Sequence, residues 1–488
     1  MALKTKQEYF DSIRQLNTEV YAVGERVKDI TEHPCFRPPM ESIGLVYELS
    51  GMEEYQDLFT AYSPFINGKV NRFLHIHQEQ EDLRKRLRIS RLYVYKHGAC
   101  IGARCVSSGT LNSLFALTYD MDQELGTEYH NRFLEYLKYV QKNDLVVAGA
   151  MMDVKGDRSL SPHQQADPDM YLRVVEKKED GIVVRGAKAS ISGAAIAHEI
   201  VALPCTAMRP EEEAYAVCFA IPSDTPGVIH IAEAPAPNLR RYFGEEMDFG
   251  NAKYGVHGAT HIVFDDVFVP WEKVFMCGEH QFTAKLVNSF ADLQRLATTS
   301  CKSGHRDLLI GAAAMIADYN GVGNARHIRE KLTDLYFQSE LSSGCALASI
   351  YNGGKTASGV YMPDSLYINI AKLQGVNAIW DGNYKVADIA GGLVCTTPTS
   401  KDMKDEKIGK LITKYLGGKA DVPTENRLRM MRLLEYLSGQ GSVVPIESTH
   451  GAGSPQAQRI IIQQSLMRNI GRFKEAARVL SGIEEQGK

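Results

Sequence analysis

An α+β chain, ordered as a helical stretch, a β-rich stretch and a second helical stretch, is predicted by three observations. From Thr5 to about Leu145, long charged runs carry apolar residues at spacings of three and four, the period of an amphipathic helix. After Val146 the pattern changes to short β-rich runs separated by Pro and Gly. Beyond Cys277 long amphipathic segments return and persist to the end. These changes predict three units, residues 1–145, 146–276 and 277–488.

In the first unit the strongest helical segments are EQEDLRKRLRISRLYVYKH and NRFLEYLKYVQKN, the latter placing Phe133, Leu134, Leu137 and Val140 on one face. The second unit contains LRVVEKK and IVVRGAKA around Asp180-Gly181, a hairpin signal, followed by EIVALP, AYAVCFAIP, GVIHIA and THIVFDDVFVP. The third contains FADLQRLATTSCKSGHRDLLIGAAAMIADYN, HIREKLTDLYFQSELSSGCALASIYN, LYINIAKLQGVNAIWDGNYKVADIAG, TENRLRMMRLLEYLSG and PQAQRIIIQQSLMRNIGRFKEAARVLSGI, which predict a bundle. No internal repeat or low-complexity linker interrupts them.

With 488 residues the chain is long enough for several buried cores. Lys plus Arg (55) nearly balance Asp plus Glu (59), and no basic run stands out, so nucleic acid is not expected as a partner. The N-terminal segment MALKTKQEYFDSIRQLNTEV has no apolar signal-like region and no membrane-spanning run comes after it, so a cytoplasmic protein without a membrane partner is expected. The nine scattered cysteines lack a CxxC pair, which argues against a disulfide framework, a zinc ribbon and a thioredoxin-like motif. There is no Rossmann glycine fingerprint, and Gly354-Lys355-Thr356 lacks the first glycine of a phosphate loop, its place being taken by Ser349.

Three segments carry candidate chemistry. GAMMDVKGDRSLSP, Gly149 to Pro162, is either a loop that covers a flavin ring or a charged surface turn. Cysteines in HGACIGARCVSS and ATTSCKSGH are either iron–sulfur ligands or small buried side chains. In IESTHGAGSPQAQRIII, the turn from His450 to Pro455 opens a helix, either as a phosphate site or as a plain cap.

GAMMDVKGDRSLSP, VEKKEDGIVVRGAKA, FDDVFVPWEKVF, IGAAAMIADYNG, DIAGGL and ESTHGAGSPQAQRI together resemble the 4-hydroxybutyryl-CoA dehydratase branch of the 4-hydroxyphenylacetate 3-hydroxylase family. The resemblance runs from LNTEVYAVGERV to the last helix. It implies an acyl-CoA dehydrogenase-like fold, with an N-terminal α domain, a middle β-barrel domain and a C-terminal helical bundle. It also implies a homotetramer that holds FAD beside a 4Fe-4S cluster, with a small-molecule substrate carried as a CoA thioester. The activity implied is that of a lyase or isomerase; the alternatives are an aromatic monooxygenase using reduced FAD and a non-enzymatic scaffold.

Carried over residue by residue, the resemblance assigns Cys100, Cys105 and Cys301 to the cluster and Lys302 and Glu447 to catalysis. It assigns Met152, Asp153, Lys155, Asp157, Arg158, Ser192, Asp388, Gly391 and Gly392 to the flavin. Several positions depart from the pattern. Gln294 stands where the family has a histidine ligand, and Thr298 where it has a tyrosine. A family glutamate is replaced within YGVHGATH, where His257, either a substitute base or ligand or a structural histidine, and His261 are new. Cys100 and Cys105 are five residues apart where the family has four. On a helix five residues turn about 140° beyond a full turn, so a π-bulge or a helix end near Gly102 must absorb the extra residue.

Overall fold

The computed structural model describes residues 3–255, 258–439 and 449–483. The early helices are α1 (Lys6–Arg14), α2 (Arg37–Gly51), α3 (Glu53–Phe59), α4 (Gln80–His97), α5 (Ala103–Leu125) and α6 (Tyr129–Lys142). Local chemistry sets their ends: Thr5 and Glu8 form a capping box on α1, and Gly98, left-handed at φ 66°, closes α4. Helix α6 buries Phe133, Leu137 and Val140, with Leu134 half-buried against the same core.

The N-terminal segment is not wholly helical. Strands β1 (Glu19–Ala22), β2 (Glu25–Arg26), β3 (Thr60–Ser63) and β4 (Gly68–Asn71) interrupt it, each too short for alternation to stand out in the sequence. The middle segment adds β5 (Val147–Ala150), β6 (Arg173–Lys177), β7 (Gly181–Ser192), β8 (Glu199–Ala202), β9 (Val217–Pro222), β10 (Val228–Ala232), β11 (Ala259–Pro270) and β12 (Val274–Cys277). Strands β6 and β7 form the hairpin expected at Asp180-Gly181, with Lys177 opposite Ile182.

Among the described residues the expected β-barrel is not formed. Ten of these strands make two open sheets, one ordered β2-β1-β10-β11-β7-β6 and the other β12-β9-β8-β5, while β3 and β4 pair with each other. Closure needs the outer strands to pair, and the outer strands here are the two-residue β2 and the short β6 at one sheet, β12 and β5 at the other. The sheets share apolar side chains instead, as where Phe219 meets Phe264 edge to face at 5.9 Å. Strand β1 lies parallel to β10, Glu19 opposite Ile229, which draws the N-terminal segment into the larger sheet.

Helix α5 runs through this core and is tied to it by Arg104. Its fully buried guanidinium pairs with Asp144 at 3.0 Å, donates to the Leu145 carbonyl and lies over the Tyr47 ring. Glu199, at the start of β8, is buried with one carboxylate oxygen unpartnered. Burial pushes its pKa up to about 7, opposed by Lys273 and reinforced by Asp224.

After the short α7 (Ala236–Arg240), the remaining helices are α8 (Thr283–Tyr319), α9 (Arg326–Tyr351), α10 (Ser365–Ile389), α11 (Ser400–Lys404), α12 (Ile408–Tyr415), α13 (Thr424–Leu437) and the C-terminal helix Pro455–Leu480. Pro455 occupies the first turn of that last helix behind Ser454, as its sequence predicts. Gly354 and Lys355 pair with Tyr361 and Met362 in a minimal hairpin, so the Gly-Lys-Thr stretch is an ordinary turn. Among the described residues no helix is long and apolar enough to cross a membrane.

Gly304 lets helix α8 lie directly against α4. A Cβ at this position would sit 2.3 Å from the Arg91 carbonyl oxygen. Beside this contact the Ser300 hydroxyl donates to the Leu87 carbonyl at 2.5 Å, and Arg91 pairs with Asp307 at 2.7 Å.

Candidate active site

Helices α4, α5, α8 and α10 enclose a cavity of about 60 Å³. Helical spacing puts Cys301, Lys302 and His305 of α8 on its wall. Cys105 enters from the first turn of α5, and Cys100 from the linker between α4 and α5.

The spacing of Cys100 and Cys105 is absorbed by a break between helices. α4 ends at His97, Gly98 turns the chain, and α5 begins at Ala103 behind Gly102, whose φ is 52°. The linker sits on the end of β7: a Cβ at Gly102 would lie 3.3 Å from Gly193 Cα, and one at Gly193 would lie 2.7 Å from the Ala103 nitrogen. Ser192 is thereby next to the thiol-bearing linker.

Hydrogen bonds to sulfur are plentiful here. The Gly102 N–H donates to Cys100 Sγ at 3.3 Å, while Arg86 Nη2 and Gln294 Nε2 donate to Cys105 Sγ at 3.3 and 3.5 Å. Cys301 Sγ donates to the Thr298 carbonyl at 3.2 Å. Burial raises the pKa of the Cys301 thiol, opposed by the neighbouring Lys302. Among the described residues no three His, Cys, Asp or Glu side chains converge closely enough to grip a single ion. The three thiols line one cavity instead.

Buried basic side chains crowd the surroundings. Lys302 is buried, donates to the Thr298 carbonyl at 3.2 Å and hydrogen-bonds to Lys372 of α10, which is itself fully buried. Burial lowers the pKa of both amines, that of Lys372 well below the usual lysine range because Lys302 adds its charge. Burial also brings Arg306 down to about 10. His305 donates from its ring to the Leu437 carbonyl, and its Nε2 is buried with no partner. Burial, Arg306 and Lys302 push its pKa down to about 4, so the imidazole is neutral. Thiol donors, buried positive charge and an unpartnered imidazole around one cavity fit an anionic iron–sulfur group.

The residues assigned to the flavin lie on other segments. Met152 is partly buried against the core, and Asp153 forms a buried ion pair with Lys188, which also donates to the carbonyls of Met151 and Leu203. That pair fastens the loop to β7, while Lys155, Asp157 and Arg158 stay exposed. Asp388 pairs with Lys331 at the end of α10, and Gly391 and Gly392 come next with positive φ and open space at both Cβ positions. His261 is exposed and accepts the Ser190 N–H, a contact between β11 and β7. His257 and Glu447 lie outside the described residues. In the terminal turn, Arg295 donates to the Ala452 carbonyl at 3.0 Å and pairs with Asp292, so a buried guanidinium braces the Gly453 bend.

The structure therefore brings Cys100, Cys105, Cys301, Lys302 and Gln294 together, with Ser192 adjacent. Sequence reasoning missed His305, Lys372 and Arg86. For His305 the signal was present: it lies one helical turn beyond Cys301.

Residues 5–276 match the family description 4-hydroxyphenylacetate 3-hydroxylase N terminal, and residues 283–480 match the corresponding C terminal description. The chain is 41% identical to the 4-hydroxybutyryl-CoA dehydratase/vinylacetyl-CoA-Delta-isomerase of Clostridium aminobutyricum, over 99% of this chain and 100% of that one. Its fold superposes on the oxygen-tolerant archaeal 4-hydroxybutyryl-CoA dehydratase of N. maritimus with a TM-score of 0.95 and 39% identity, covering 100% of this chain and 96% of the other. The oxygenase component of 4-hydroxyphenylacetate 3-monooxygenase, complexed with FAD, matches with a TM-score of 0.85 at 23% identity and 98% coverage of both chains, a likeness of fold. The chain belongs to the 4-hydroxyphenylacetate 3-hydroxylase family, on the side of its 4-hydroxybutyryl-CoA dehydratases.

Proposed function

We propose that this protein is a lyase or isomerase dependent on FAD and a 4Fe-4S cluster, which eliminates a γ-substituent from, or shifts a double bond within, an acyl-CoA thioester or related acid. One observation carries the reading: Cys100, Cys105, Cys301 and the Lys302 amine border a single cavity. The 41% identity with the Clostridium aminobutyricum enzyme supports it. When bound, the flavin supplies one-electron chemistry that acidifies a C–H bond, and the cluster supplies a Lewis acid for a departing hydroxyl.

The chain's own residues do the rest. The three cysteines hold the cluster, and the Arg86 and Gln294 donors steady the Cys105 sulfur. Lys302 is held in a dry site where burial lowers its pKa, and its amine is assigned to accept a proton from the substrate. The loop of Met152 to Arg158, Ser192 and the turn of Asp388 to Gly392 are assigned to the flavin. The working assembly in this reading is a cytoplasmic homotetramer. Each chain has an acyl-CoA dehydrogenase-like layout in units 1–145, 146–276 and 277–488. The aromatic monooxygenase activity found elsewhere in the family would leave the three thiols without a role.

Iron, sulfide and FAD are to be measured per chain on protein purified without oxygen, alongside Cys301→Ala. About four irons and one FAD are expected in the native protein, with iron lost and FAD kept in the variant. Unchanged iron in Cys301→Ala refutes the ligand assignment. FAD without iron in the native protein moves the reading to the monooxygenase.

A further inference from the structure

The cluster reading leaves a chemical gap at its fourth corner, because an amide is a poor iron ligand. Gln294 is also occupied beside the cavity rather than facing into it. Its Nε2 donates to Cys105 Sγ, and its Oε1, buried without a hydrogen-bond partner, packs over Gly109, where a Cβ would lie 3.3 Å away.

His305 has the opposite character. It stands on the cavity wall four residues after Cys301, so both side chains project from one face of α8. The Leu437 carbonyl takes the proton of one ring nitrogen, which leaves a lone pair on Nε2. That atom is buried and has no partner, an unfavourable arrangement unless something binds it. A metal-bound histidine characteristically donates its other ring N–H to a carbonyl or carboxylate, which fixes its tautomer. The wall around His305 is continued by Gly98, Ala99 and Cys100 of the linker.

We propose that His305 Nε2, rather than the side chain at position 294, supplies the fourth protein ligand of the cluster. The inference rests on the function proposed above. It links two departures: the shifted thiol of Cys100 and a histidine farther along α8 line the same cavity as Cys301.

The test is made on full-length protein assembled without oxygen and labelled with [15N]histidine, by iron and sulfide content and pulsed EPR of the reduced cluster. The native protein is expected to show nitrogen coupling from a bound imidazole. In His305→Ala that coupling disappears and iron falls from about four to about three per chain, as expected when one corner loses its ligand. His305→Cys, which restores a ligand and checks that the site still folds, regains the iron without the coupling. Coupling and iron that persist in His305→Ala overturn the inference while leaving the cluster reading intact. Native protein that binds no iron overturns both.

Discussion

Substituting Gly304 by alanine sets two effects of known size against each other. Helix propensity alone favours alanine by about 1 kcal/mol. The added Cβ, however, would lie 2.3 Å from the Arg91 oxygen, 3.0 Å from its carbonyl carbon and 3.1 Å from its Cα. These are backbone atoms, so no rotamer change relieves the overlap. Ordinary contact begins at 3.4 Å, so α4 and α8 must part by the difference, about 1.1 Å. Overpacking of this kind costs about 1–3 kcal/mol. Parting the helices also stretches the buried Ser300–Leu87 hydrogen bond, worth about 1 kcal/mol. The net expectation for Gly304→Ala is a loss of about 1–3 kcal/mol, read as a lower denaturation midpoint in guanidinium. Iron retention should fall with it, because both helices wall the cavity. A midpoint unchanged or raised would mean that propensity wins and that the two helices have slack between them.

Other expectations come from buried charge. Glu199 has a folded pKa near 7 against 4.5 for the free side chain, so the folded state holds the proton more tightly than the unfolded one. Stability is then fully present below about pH 4.5 and is lost as pH rises to 7, by about 3 kcal/mol. Glu199→Gln should abolish that loss in thermal unfolding at pH 5 and pH 8, and an equal pH slope in both proteins would refute the assignment. Arg104→Met removes the partner of the buried Asp144 carboxylate and should cost about 3–5 kcal/mol in urea unfolding, with a loss below 1 showing the pair to be dispensable. Lys302→Gln should lower kcat by about 10²–10⁴-fold with FAD and iron retained, and a near-native kcat would remove the amine from proton transfer.

Much of the fold was legible because its signals are local. The long period-3.6 segments became α4, α6, α8, α9 and α10, and Asp180-Gly181 became the β6–β7 turn. The open sheets were not legible, since closure depends on which distant edges pair, and no stretch of Arg173–Lys177 announces that it ends a sheet. At the site, Cys301 and Lys302 are chain neighbours and were found together. Lys372 reaches Lys302 only through the packing of α10 on α8, seventy residues along the chain, which periodicity does not encode. The apparent misfit of Cys100 and Cys105 assumed one continuous helix. Gly98 and Gly102, which flank Cys100 in HGACIGARC, carried the information that the helix breaks there.

The parallel pairing of β1 with β10 also imposes an order of events on synthesis. Glu19 and its partner Ile229 are separated by 210 positions, the difference of their numbers. At about 5–20 residues per second the ribosome takes about 10–40 s to supply the second strand after the first. Throughout that interval the core that almost wholly encloses Val20 in the finished protein is incomplete, and the edge of its strand opposite β2 has no partner. The first strand made is thus among the last to be seated. Protection of that nascent arm, by its own early helices or by a holding chaperone, becomes part of making this protein.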